Sequence, residues 1–205
     1  MIFDEQGNEY LTELENISLS CLVFKIKEKR KFKPAKQVSL TIACAIPKKS
    51  KIDDIIDKLT QLGVDKIIPL ETERVIVKLD KHKKITRRKR WEKIAQVAAQ
   101  QSQRNTLPVI EEVKNIKQLL AESKDYDLKL IPALIGQRKT IKEAIAMHKP
   151  KNILVLIGPE GDFTAQELNL AVKAGFIPVT LGDNVLRVET AAVAVAAFVR
   201  LYENS

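Results

Sequence analysis

The segment Asn152-Ile153-Leu154-Val155-Leu156-Ile157, which runs directly into Gly158-Pro159-Glu160-Gly161, constrains this chain more than any other. Its five consecutive aliphatic residues leave no polar face. A strand of that kind is buried on both sides, so its sheet must be covered by helices above and below. The pattern from Val38 onward agrees. Residues 38–46 read as a second buried strand, and residues 66–70, 127–133 and 177–181 as shorter ones.

Helical periodicity fills the gaps between these strands. Ser50 is positioned to cap a helix whose Ile52, Ile55, Ile56, Leu59 and Leu62 share one face, and Gly63 is positioned to stop it. Residues 86–104 predict a long helix with Trp91, Ile94, Val97 and Ala98 inward, in a region that Pro108 ends. Residues 139–148, 164–174 and 189–202 read as further helices. The second of these is opened by the capping box Thr164-Ala165-Gln166-Glu167. Alternating strands and helices predict an α/β fold with a mostly parallel sheet. Residues 1–33 are different. They are β-rich, with a turn signal at residues 4–9, and two or three strands make a poor domain alone. Residues 27–36, containing Pro34, read as a charged linker. The chain therefore divides into a small β segment, 1–33, and an α/β domain, 34–205.

The formal net charge of +9 is concentrated in two runs. Residues 25–51 hold ten basic residues and one acid, Glu28; residues 78–93 hold nine against Asp80 and Glu92. The remainder is acidic overall. Cations gathered this way suit a polyanionic partner, although a solvated lysine-rich surface gives the same composition. Aromatic residues in or next to the runs are few (Phe24, Phe32 and Trp91), so these patches would hold phosphates rather than stack bases.

Several chemistries are excluded. No apolar run reaches the roughly 18 residues of a membrane span, and Met1-Ile2-Phe3-Asp4-Glu5 is no secretory leader, so a protein without membrane association is expected. Cys21 and Cys44 form no CxxC pair, which removes a zinc ribbon and suits a reducing cytoplasm. No GxGxxG follows a strand and no GxxxxGK[ST] exists. With only His82 and His148 in unrelated contexts, neither a histidine-based triad nor a metal site is expected.

Two loops remain, and they are alike. One apolar strand exits through Gly158, and the strand at residues 177–181 exits through Gly182-Asp183-Asn184-Val185-Leu186-Arg187. In open α/β sheets ligands bind at that edge, although each loop alone could be a plain turn. Arg187 lies between Leu186 and Val188 and is expected near the core, either paired with Glu189 or aimed at a site. The stretch from Thr190 to Val199 is apolar all round, so it is buried on every side or lies against another subunit.

The motif Leu156-Ile157-Gly158-Pro159-Glu160-Gly161, followed by Leu181-Gly182-x-x-Val185-Leu186-Arg187-x-Glu189-Thr190-Ala191, resembles the RsmE family of 16S rRNA uridine N3-methyltransferases, in the SPOUT superfamily. Lys58-Leu59-Thr60-Gln61-Leu62-Gly63-Val64, Thr72-Glu73-Arg74 and Gln101-Ser102-Gln103-Arg104 with Pro108 extend the resemblance over residues 38–201. The resemblance implies a deep trefoil knot at the carboxyl end and S-adenosylmethionine held in the knot loops without metal. It also implies a homodimer, and 16S rRNA of the small ribosomal subunit as partner. By position, it makes Pro132, Leu156, Gly158, Gly161, Leu181, Gly182 and Leu186 cofactor-binding candidates, in loops spanning 132–136, 156–161 and 181–186. Arg187 and Glu189 become catalytic candidates, and Arg74, Arg87, Arg88 and Arg104 RNA-side candidates.

The chain departs from the family pattern in four respects. Residues 1–33 match only the last third of the expected PUA-like barrel. Asp162 replaces a glycine, Gln61 and Gln100 replace glutamates, and Val75 stands where Ser or Thr is usual. Two other functions stay open at this point: a non-catalytic rRNA-binding or assembly protein, and a SPOUT methyltransferase for another RNA.

Overall fold

A computed structural model describes residues 2–4, 8–31, 38–47, 51–74, 80–134 and 136–203. The chain opens with an antiparallel unit of β1 (Ile2–Phe3), β2 (Asn8–Ile17) and β3 (Leu22–Lys31). Next come β4 (Ser39–Ala45), α1 (Lys51–Gln61), β5 (Lys66–Glu71), α2 (Lys81–Gln101), β6 (Val109–Ile110), β7 (Lys114–Asn115) and α3 (Ile116–Glu122). The rest is β8 (Leu128–Pro132), β9 (Lys139–Thr140), α4 (Ile141–His148), β10 (Asn152–Ile157), α5 (Ala165–Lys173), β11 (Ile177–Thr180) and α6 (Val188–Glu203).

The main sheet runs β6-β5-β4-β10-β8-β11-β9, with β7 also on β5, and its described pairings are all parallel. β10 lies at the centre, paired with β4 from Asn152↔Ser39 to Ile157↔Cys44 and with β8 on its other side. Its period of two then explains two cores. Ile153, Val155 and Ile157 face one layer, which includes Ile55 and Leu59 of α1, Trp91 of α2 and Val195 of α6. Leu154 and Leu156 face the other, with Leu119 of α3, Ala171 of α5 and Phe163.

Helix boundaries follow local chemistry. Thr164 and Glu167 form the expected capping box ahead of α5. Gly63, at φ +76, ends α1, with its N–H donating to Thr60 O and the Val64 N–H to Leu59 O. The expected cap at Ser50 lies outside the described residues. Helix α2 starts five residues earlier than the sequence predicts, because Asp80 caps it by accepting from the Lys83 N–H at 2.8 Å. Its inward stripe is Trp91, Ala95, Ala98 and Ala99, whereas Val97 is 55% exposed. The linker expected at residues 27–36 is also corrected in part. Residues 27–31 continue β3, and residues 32–36 lie outside the described set.

The buried arginine of this fold is Arg200, not Arg187. Arg200 is 8% exposed and donates to Val38 O at 2.7 Å, Gly63 O at 2.6 Å, Asp65 at 2.8 Å and Glu203 at 2.8 Å. It thereby fastens α6 to the end of α1 and the entry of β4. Arg187 is exposed, contrary to the expectation from its apolar neighbours. The loop before α6 runs across the surface, and Val185 beside it is 72% exposed.

Candidate active site at the carboxyl edge of the sheet

Because β10, β8 and β11 are neighbours and parallel, the segments that leave their carboxyl ends meet at one edge. They line an open cleft. Pro132, Gly158, Leu181, Gly182 and Leu186 line it, so most of the expected cofactor residues are brought together. Leu156 lies beneath, fully buried in the sheet, and Gly161 sits on the exposed outer side of its turn. Gly182 has φ +111, a conformation that L side chains rarely adopt. At Gly158 a Cβ would lie 3.0 Å from the Phe163 ring, so a side chain there would require that ring to shift by a few tenths of an ångström.

The lining is of mixed chemistry. Leu134, Leu181, Val185 and Leu186 offer apolar surface, and Glu160 and Asp162 bring carboxylates. Arg138 is the one cation among the described lining residues, and it donates to Ala133 O at 3.1 Å. Sequence reasoning missed Arg138, whereas Asn184 falls within the expected 181–186 loop. The signal for Arg138 was available in Gly136, at φ +89, which turns the chain back toward the cleft two residues earlier. Asp162 takes φ +61, and its Oδ1 accepts from the Phe163 N–H at 2.8 Å. Local hydrogen bonding of this kind lets aspartate occupy a glycine-like position.

Arg187 lies between the cleft residues Leu186 and Val188 and is itself exposed. Glu189 turns the other way and accepts from Lys51 Nζ at 2.7 Å. Its second oxygen is buried without a hydrogen-bond partner among the described residues. Burial pushes this carboxyl up, but the Lys51 hydrogen bond, its own backbone N–H and the charges of Lys51 and Arg187 outweigh that. It therefore sits below the usual carboxylate range. Cys44, at the end of β4, is fully buried, and that burial pushes its thiol far up, with Glu189 and Glu160 adding to the effect.

The four expected RNA-side arginines are in different situations. Arg74 is exposed and donates to Gly161 O. Arg87 and Arg88 are half-buried on α2, where Arg88 pairs with Glu92 at 3.0 Å and Glu112 at 3.6 Å. Arg104 is directed inward, to Thr60 O at 3.0 Å and Asp65 at 3.8 Å. Burial lowers its guanidinium from the ordinary value, against the pull of Asp65 and with a further push from Arg200. Around α2, Lys89, Arg90 and Lys93 are exposed, so the described part of the second basic run does form a cationic surface.

Comparison with known proteins agrees with this geometry. The family described as RNA methyltransferase domain matches residues 34–200. The chain is 36% identical over 199 residues to ribosomal RNA small subunit methyltransferase E of Bacillus subtilis, covering 91% of this chain and 75% of that protein. It is 38% identical over 191 residues to the protein of the same name from Mesomycoplasma hyopneumoniae, covering 92% and 79%. A Legionella pneumophila methyltransferase solved with its cofactor SAM bound superposes with TM-score 0.89 at 30% identity, covering 98% of this chain and 81% of that one. Ribosomal RNA small subunit methyltransferase E of Neisseria gonorrhoeae, bound to S-adenosyl methionine, gives 0.86 at 29% identity over the same shares. With the cleft, the parallel sheet and these relatives in agreement, the chain belongs to the RNA methyltransferase domain family, among the ribosomal RNA small subunit methyltransferases E.

Proposed function

We propose that this protein methylates N3 of a uridine in 16S rRNA of the small ribosomal subunit, with S-adenosylmethionine as donor. The observation that carries the reading is the convergence of the segments after β8, β10 and β11 on one cleft of matching chemistry. Its residues fit that cofactor. Apolar Leu134, Leu181 and Leu186 suit a planar base, and Glu160 and Asp162 suit a cationic sulfonium and ammonium. S-adenosylmethionine, when bound, supplies an electrophilic methyl group.

The protein's own share is orientation and charge. Uridine N3 carries a proton at neutral pH and is a weak nucleophile. The Arg187 guanidinium, exposed beside the cleft, would stabilise the anion formed when that proton passes to solvent water. Glu189, held ionised by Lys51, helps fix the start of α6 and with it Arg187. The exposed cations of α2 would bind RNA phosphates.

Three further features belong to the same proposal. A trefoil knot at the carboxyl end is supported by β8 lying between β10 and β11 while α6 returns against β4 and β10. A homodimer is supported by the outward side of α6, where Leu201 is 72% exposed and Phe198 half-buried. A PUA-like relationship for residues 1–33 is supported by the antiparallel β1–β3 unit. No described helix is long and apolar enough to cross a membrane, and an rRNA substrate would place the protein in the cytoplasm.

The test is incubation with labelled S-adenosylmethionine and small subunits lacking the modification, followed by nucleoside mass spectrometry. N3-methyluridine in 16S rRNA is expected. Another methylated nucleoside would redirect the substrate assignment. No transfer to any RNA and no cofactor binding would replace the enzyme with an RNA-binding assembly protein.

A further inference from the structure

The turn that follows β10 is gripped from outside by the segment that follows β5. Arg74 Nη1 donates to Gly161 O. The Glu73 N–H donates to Glu167 Oε1 at 2.8 Å, and Thr164 Oγ1 donates to Glu73 Oε2 at 3.2 Å. Glu167 is only 5% exposed, and its second oxygen accepts from the Thr164 N–H at 3.0 Å. Glu167 thus joins two functions, capping α5 and receiving the backbone of the neighbouring segment.

The turn is anchored at its carboxyl end by buried Phe163, whose N–H donates to Asp162 Oδ1, and on its outer side it meets Arg74. Its own closure is the Asp162 N–H to Pro159 O bond at 2.9 Å. Beyond its chain neighbours, a Cβ built on Gly161 would find only Arg74 atoms within 4 Å, the nearest its Cδ at 3.5 Å. Removing the Arg74 side chain would leave the outer side of the turn without this neighbour and the Gly161 carbonyl without this donor. Gly158, Glu160 and Asp162 of the same turn line the cleft.

We infer that Arg74 is a positioning residue for cofactor binding, presetting the Gly158–Asp162 turn through Gly161, rather than a phosphate contact. This rests on reading the cleft as the S-adenosylmethionine site. A loop ordered in advance loses less entropy when ligand arrives, so the latch acts on affinity for the cofactor.

The test is calorimetric titration of S-adenosylmethionine into the full chain without RNA, for the native protein, Arg74→Ala and Arg74→Lys, with thermal melts alongside. Arg74→Ala should raise Kd about tenfold. Arg74→Lys, which retains a donor for Gly161 O, should recover part of that loss even if the alanine variant is less stable. In turnover assays KM for the cofactor should rise and KM for RNA stay unchanged. Equal cofactor affinity in all three proteins, with weaker RNA binding in Arg74→Ala, would overturn the latch and make Arg74 a phosphate contact. A native protein that binds no S-adenosylmethionine would overturn the cleft assignment itself, a result separable from the first.

Discussion

Arg187 shows how two apolar neighbours can mislead. Leu186 and Val188 both line the cleft, yet the residue between them is exposed, at the entry to α6, where its carbonyl accepts from the Ala191 N–H at 2.8 Å. That exposure suits a group that must meet a large substrate from outside. Arg187→Ala should cut methyl transfer by about 100-fold or more while leaving cofactor Kd within about twofold, as for the loss of one preorganised charge donor. Calorimetry and a nucleoside assay on the same preparation check both halves. Glu189 makes a different prediction. Its carboxyl is held below its ordinary 4.5, so its contribution to stability is present above that value and lost as pH falls through the lower folded value. The gap in Tm between the native protein and Glu189→Gln should be widest near neutral pH and close below about pH 4.5. A gap that widened on acidification would show the opposite linkage.

The elements were legible where their periodicity was unambiguous. The aliphatic run of β10 and the capping box of α5 were placed from sequence because each carries its own physical cause. Helix α3, only seven residues long, was missed: Ile116 and Leu119 are buried at i, i+3 spacing, but two turns are too short for that period to stand out. Its capping box, Asn115 with Gln118, was the signal available. On α2 Trp91 and Ala98 face inward as expected, but the small residues Ala95 and Ala99 join them instead of the larger Val97, which hydrophobic size alone had placed there. Of the site, sequence gave the loops but not the Lys51–Glu189 pair or the Arg74 latch, which join residues far apart in the chain. Arg200 was hidden for the same reason, since its partners are Val38, Gly63 and Asp65. Arg200→Met should cost about 3–5 kcal/mol in urea denaturation, because it strands the polar groups that the guanidinium satisfies.

Taken as a whole, the molecule separates its charge from its chemistry. The cleft carries two carboxylates and a single cation, Arg138, among its described lining residues, while further exposed cations gather on α2. RNA affinity should therefore fall steeply with salt. Lys89→Glu and Lys93→Glu should each weaken binding across RNA sequences and flatten the logarithmic salt slope by about one unit, without changing cofactor affinity. Filter binding over a salt series reads this directly. The central pairing of β10 with β4 has a kinetic corollary. Asn152 lies opposite Ser39, so the innermost strands of the sheet cannot meet until more than half the chain between them has been brought into a closed loop. Chains whose decisive contacts are so distant in sequence fold slowly and through partly assembled states. The cleft, whose walls all leave strands assembled around that pairing, is thus among the last parts of the protein to exist, and an incompletely folded chain could hold RNA on α2 before it could modify anything.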